Sequence, residues 1–81
     1  MKFGDLVMCR YHAEKPYPAL IIGEPHYSQG DVFIIATEDA HGFGLNKDWL
    51  TPTGVQDIEK AHEWRRIHMQ NITNKKFIKP L

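Results

Sequence analysis

The feature that most constrains the fold of this chain is a change of hydrophobic pattern near residue 52. Before this point, short apolar runs are separated by turns that contain proline and glycine, a pattern typical of antiparallel strands. After it, apolar residues recur with the spacing of a helix. Because the chain has only 81 residues, the pattern predicts one domain, mainly β with a C-terminal helix.

The predicted strands are short, and an apolar run locates each of them. The third has the clearest signal, because residues 32–35 are all β-branched or aromatic. We expect the strands to close into a small antiparallel barrel of about five strands, since closure protects edges that so short a chain cannot otherwise cover. The strands are predicted at residues 5–10, 19–23, 31–37 and 43–47, with a short turn or fifth strand at 48–50.

A capping box marks the predicted start of the helix. Thr53 and Gln56 have the required spacing of three residues. The helix is expected to end at about residue 69 or 70. The predicted organisation is therefore a small barrel over residues 1–52, with a helix and a basic tail over residues 53–81 packed on the same domain.

Two large apolar side chains do not fit the buried side of this helix. At 100° per residue, Ile58, Ala61 and Met69 share one side, whereas Trp64 and Ile67 fall well away from it. One interpretation is that the helix packs against the rest of the protein on two sides, or that it ends early. The other is that Trp64 and Ile67 form a surface that binds a protein partner.

The net charge of zero conceals two opposed parts. Residues 1–59 contain four bases and nine acids, whereas residues 60–81 contain six bases and one acid, so the parts carry −5 and +5. A basic end of this kind favours a polyanionic partner. The alternative for the tail is a solvated terminus with its two apolar residues packed back on the barrel. The candidate nucleic-acid-binding residues are Arg65, Arg66, Lys75, Lys76 and Lys79.

No motif in the sequence indicates catalysis, a metal site or a cofactor. The single cysteine, Cys9, lies inside the first predicted strand and is expected to be a core residue. His62 and His68 are six residues apart, which misses the spacing of four that puts two ligands on one helical face.

No apolar run approaches the roughly 18 residues of a membrane span, and the N-terminus lacks a signal-peptide pattern. We therefore expect a soluble, intracellular protein of the cytoplasm or of a host cytoplasm.

Two segments near the N-terminus resemble the start of a PWWP domain, a member of the Tudor-like, SH3-like group of small barrels. Gly4-Asp5-Leu6-Val7 matches the opening of that family's first strand, and Pro16-Tyr17-Pro18-Ala19 occupies the place of the motif that names the family. The resemblance extends in pattern over residues 4–50. It implies an SH3-like barrel that binds methylated lysine in an aromatic cage, by cation–π contact, and DNA through neighbouring basic surfaces.

The resemblance implies that Tyr17 forms one wall of such a cage. The position three residues earlier, often aromatic in the family, is Glu14, although Tyr11 is near. The third wall would fall at residues 36–38, none of which is aromatic. A methyl-lysine reader with an incomplete cage is therefore one alternative for this chain.

The leading hypothesis is a non-enzymatic binding module that associates with DNA or a nucleoprotein partner. It would use Tyr11, Lys15 and Tyr17 at the barrel rim together with the basic C-terminal residues. A small barrel that stands alone favours a small phage or microbial regulator. The other alternative is a protein-binding adaptor or inhibitor of a host protein, in which the partner-binding residues are Trp64 and Ile67, or the loop that carries Tyr27.

Overall fold

A computed structural model of the chain describes residues 1–11, 14–38 and 42–71. In these ranges five antiparallel strands form one sheet, and one α-helix follows them. The predicted class, mainly β with a C-terminal helix, is confirmed. The elements are β1 (Asp5–Cys9), β2 (Tyr17–Gly23), β3 (Val32–Ala36), β4 (Phe43–Asn46), a 3-10 helix (Lys47–Trp49), β5 (Leu50–Gln56) and α1 (Ile58–Asn71).

The order of the strands across the sheet is β4-β3-β2-β1-β5. The first strand therefore lies between the second and the last, with Cys9 opposite both Tyr17 of β2 and Leu50 of β5. The ladder of hydrogen bonds does not join β4 to β5, so the part of the sheet that the structure describes is open rather than a closed barrel.

The sheet buries residues on both of its faces. Along β2, Ala19 and Ile21 point to one face and Leu20 and Ile22 to the other, and all four are buried. The second face is covered by α1, and its buried residues form the helix-side cluster: Leu20, Ile22, Ile34, Ala36 and Ala61. The first face holds the inner cluster: Val7, Cys9, Ala19, Ile21, Phe33, Ile35, Leu45 and Leu50.

The inner cluster indicates that the sheet is strongly curled. It contains Leu45 from one edge strand and Leu50 from the other, although these two strands are not paired. Val7, Ile21 and Ile35 in the same cluster have no exposed surface. Because α1 lies on the opposite face, burial this complete requires the edge strands to fold over the first face. The apolar residues of both edge strands thus share one interior, although the ladder is not closed.

The capping box predicted for the helix is wrong, because its residues belong to β5. Thr53 donates a hydrogen bond from Oγ1 to the carbonyl of Leu6 (2.7 Å), and Gln56 donates from Nε2 to Asp5 Oδ1 (2.7 Å). Gly54 lies between them with φ +83°, a left-handed conformation that ends any helix begun at residue 53. Pairing with β1 therefore outweighs the local helix signal.

The helix begins at residue 58 and is capped by Asp57. Asp57 Oδ1 accepts a hydrogen bond from the backbone N of Lys60 (3.0 Å), and its carbonyl accepts from Ala61 N (3.0 Å). The end of α1 at residue 71 lies close to the predicted end. Ile58, which the helical projection places on the buried side, is 42% exposed in the first turn of the helix, although its side chain lies close to Gly4.

Gly4 ties the start of β1 to β2 and to the start of α1. Its backbone N donates to the carbonyl of Ile21 (2.8 Å), and its carbonyl accepts from Asp57 N (2.9 Å). Its φ is +87°, and a Cβ at this position would overlap the side chain of Ile58. Only glycine fits both the conformation and the space.

Candidate functional site

Three aromatic side chains gather where β1 ends and β2 begins, and we call Tyr11, Tyr17 and Trp49 the aromatic end. The hydroxyl of Tyr17 accepts a hydrogen bond from Cys9 Sγ (3.1 Å) and donates one to the carbonyl of Tyr11 (3.4 Å). The rings of Tyr11 and Trp49 meet edge to face, with centroids 5.2 Å apart and planes at 77°. The structure thus brings together two residues predicted from the sequence and one that was not.

Strand pairing explains why these side chains meet. Cys9 lies opposite Tyr17 in one ladder and opposite Leu50 in the other. The next residue, Arg10, donates its backbone N to the carbonyl of Trp49 (3.0 Å). The end of β1 therefore holds Tyr17, which begins β2, close to Trp49, which precedes β5.

Tyr17 forms the floor of the aromatic end rather than an exposed rim. Its ring packs on the inner cluster. Burial, and then the hydrogen bond with Cys9, raise the pKa of Tyr17 to about 12, so the phenol keeps its proton in alkaline solution in which an exposed tyrosine would lose it. Trp49, in contrast, is 43% exposed. The ring of this site that faces outward is therefore Trp49. The only sign in the sequence that Trp49 would be exposed is its position in a turn after two charged residues.

A shallow depression of about 560 Å³ adjoins Trp49, and Arg10, Asn46 and Asp48 form its other walls. Arg10 is held in place because Nη2 donates to the carbonyl of Asp48 (2.6 Å). Asn46 accepts from Asp48 N through Oδ1 (2.9 Å). The depression thus places a fixed guanidinium beside an exposed indole ring. This combination suits a ligand that has both a flat ring and a negatively charged group.

Basic and acidic residues are balanced on the segments next to this depression. Lys47 begins the 3-10 helix that carries Trp49, and Lys15 lies in the loop before Tyr17; both are exposed. Lys47 interacts electrostatically with Asp31, and its backbone N donates to the carbonyl of Asp31 (2.7 Å). Arg10, Lys15 and Lys47 thus supply three positive charges, and Glu14, Asp31 and Asp48 supply three negative ones.

A second concave surface lies between α1 and the sheet, and we call it the helix groove. Its volume is about 450 Å³. Trp64 is half-buried there against the helix-side cluster, and Lys60 Nζ lies 5.6 Å from the centroid of its ring. Side chains from β1, β2, the segment after β3, β5 and α1 contribute to the groove, among them Leu6, Leu20, Glu38, Val55, Lys60 and Trp64.

The basic residues predicted on the helix do not join the aromatic end. Arg65 donates from Nη1 to the carbonyl of Ile22 (2.9 Å), and burial lowers the pKa of its guanidinium. Arg66 is exposed on the same helix, which covers the face of the sheet opposite the inner cluster. The remaining predicted residues of this group, Lys75, Lys76 and Lys79, lie outside the described residues.

The other predicted partner-binding residues are separated from one another. Tyr27 is 71% exposed in the turn after β2, at the opposite end of that strand from Tyr17. Ile67 is 39% exposed on α1, whereas Trp64 packs inward on the same helix. Trp64 therefore lies at the groove and Ile67 at the outer surface.

Among residues 1–11, 14–38 and 42–71, no three His, Cys, Asp or Glu side chains are grouped so that they could hold a metal ion. No helix in these ranges has the length and apolar character needed to cross a membrane. Cys9 is buried in the inner cluster, which agrees with its predicted core position.

No family model, curated protein or solved structure matches the chain.

Proposed function

We propose that this protein is a non-enzymatic binding module whose aromatic end binds single-stranded segments of DNA or of a nucleoprotein. The observation that carries the proposal is the exposed Trp49 ring, braced edge to face by Tyr11 and flanked by the fixed guanidinium of Arg10. Proteins that bind single strands combine such ring faces, on which bases stack, with basic groups that follow the phosphates.

Single strands fit this site better than a duplex. The faces of bases are accessible only where the bases are unpaired. Arg10, Lys15 and Lys47 are few basic side chains for a duplex phosphate backbone. Residues 1–59 also carry a net −5, which repels the denser charge of a duplex more strongly than that of a single strand. We therefore expect weak binding that relies mainly on stacking and that depends on salt only through the few phosphates that basic side chains contact.

The relation to Tudor- and PWWP-like barrels is part of this proposal. It is supported by the Gly4-Asp5-Leu6-Val7 and Pro16-Tyr17-Pro18-Ala19 segments and by the curl that brings both edge strands into the inner cluster. In this view β4 and β5 are the two margins of an SH3-like barrel whose ladder is incomplete.

One observation favours binding of a methylated lysine as a second candidate function. The Tyr11 and Trp49 rings are nearly perpendicular, as two walls of a cage for a methylammonium group would be. These rings supply walls that the resemblance to the PWWP motif does not identify. A trimethyl-lysine peptide is therefore included in the test below.

The test is a fluorescence-polarisation titration of a labelled single-stranded oligonucleotide, its duplex and a trimethyl-lysine peptide at low and high salt. We expect the single strand to bind most tightly, and Trp49→Ala to weaken it about tenfold, because one stacked base contributes roughly 1–3 kcal/mol. Tyr27→Ala is the matched control, since it removes an exposed aromatic ring at the other end of β2. No binding of the single strand at low salt, or an equal loss in both variants, would contradict the proposal.

A further inference from the structure

The helix groove differs in chemistry from the aromatic end. Its floor is apolar, with Leu6, Leu20 and the ring of Trp64, and Val55 on its margin is 54% exposed. Its volume of about 450 Å³ lies within the range of pockets that hold small ligands or side chains. A complementary occupant must therefore be partly apolar.

The contact between Lys60 and Trp64 shows what the ring of Trp64 can attract. The ammonium of Lys60 lies 5.6 Å from the ring centroid, within the range of a cation–π interaction. Lys60 is exposed, and its long side chain can move away without unpacking the core. One cation from this chain thus occupies a place that a cation from another molecule could take.

The charges around the groove favour a basic occupant. Glu38, two residues after β3, and Asp57, just before α1, supply carboxylates to the lining, against the single cation of Lys60. Asp57 is engaged as the helix cap, so the exposed carboxylate of Glu38 is the one placed to pair with an incoming cation. An acidic occupant would meet two carboxylates.

We propose that the helix groove binds a basic, partly apolar peptide segment of a protein partner, whose arginine or lysine replaces Lys60 over the Trp64 ring and pairs with Glu38. The apolar side chains of the segment contact Leu6, Leu20 and Val55. This site is separate from the aromatic end, because α1 covers the face of the sheet opposite the inner cluster on which Tyr11 and Tyr17 pack.

The test uses the full chain with Trp49→Phe, so that the fluorescence of Trp64 alone reports binding. The probes are a short acetylated peptide of alternating leucine and arginine and a matched peptide of leucine and glutamate. We expect the arginine peptide to bind and to change the Trp64 emission, and the glutamate peptide not to bind. Binding of the glutamate peptide alone, or of neither, would overturn the proposal.

Two surface variants test the assigned roles through changes of opposite sign. Lys60→Gln should tighten binding of the arginine peptide about 2- to 5-fold, because it removes the competing cation. Glu38→Gln should weaken it by a similar factor, and Glu59→Gln, an exposed carboxylate on α1 outside the lining, should leave it unchanged. Weaker binding after Lys60→Gln would overturn the proposal, because it would show that Lys60 helps to hold the peptide rather than competing with its cation.

The chain itself contains a basic and partly apolar sequence at residues 75–79, and this segment is the alternative occupant that the test must distinguish from a partner. In the full chain, replacing Lys75, Lys76 and Lys79 by glutamine should leave the affinity for the arginine peptide unchanged. Tightening as large as that of Lys60→Gln would make the chain's own segment the occupant and would overturn assignment to a partner.

Discussion

Gly4 is a single residue on which three parts of the chain depend. It bonds to β2 and to the start of α1, its φ is +87°, and its α-carbon lies against the first residue of the helix. Gly4→Ala adds a methyl group that must displace Ile58 Cδ1 and still lies 3.3 Å from Ile58 Cα. We expect a loss of about 2–3 kcal/mol in the free energy of unfolding, measured by urea denaturation.

Gly30→Ala is the matched control for this substitution. Gly30 has nearly the same φ, +88°, but no atom within 4 Å of an added Cβ. Only the left-handed conformation is then penalised, so we expect a loss of about 1–2 kcal/mol. Equal losses in the two variants would show that the contact between Gly4 and Ile58 contributes nothing.

The stability of α1 depends on its N-terminal cap, Asp57. Asp57→Ala removes the acceptor for Lys60 N and should lower the free energy of unfolding by about 1 kcal/mol. Asp57→Asn keeps an oxygen acceptor and should lose much less. Thermal unfolding followed by circular dichroism measures both, and a loss in Asp57→Asn as large as in Asp57→Ala would mean that the cap hydrogen bond is not the cause.

The elements also differ in how far the sequence predicts them. Strands β1 to β4 can be located because each has buried apolar residues in its run. Beyond Leu50, every residue of β5 is exposed, so no apolar alternation marks it, and its strand conformation comes from pairing with β1. The same pairing places Trp49 beside Tyr11, 38 positions earlier in the sequence. A local pattern could therefore indicate Tyr11 and Tyr17 but not the exposed ring that completes the site.

At the scale of the whole molecule, the basic C-terminal residues are expected to act through charge alone. Under the proposed function, replacing Lys75, Lys76 and Lys79 by glutamine should weaken single-strand binding. It should also reduce the slope of log affinity against log salt by about 0.7 for each phosphate that these lysines neutralise. Trp49→Ala should instead lower the affinity with little change of slope, because stacking releases no counterions. An unchanged slope in the lysine variant would exclude the tail from the interface with the strand.

The position of β1 between β2 and β5 also has a consequence for how the chain folds. β1, which precedes the other four described strands in the sequence, acquires its second neighbour only when residues 50–56 have been made. Pairing so distant in sequence slows folding, to milliseconds or longer in small β proteins. Until then the edge of β1 that will receive β5 is unpaired, and it can template strand addition from another unfinished chain. Aggregation during synthesis should therefore depend on how soon β5 is synthesised and pairs with β1, rather than on the stability of the finished protein.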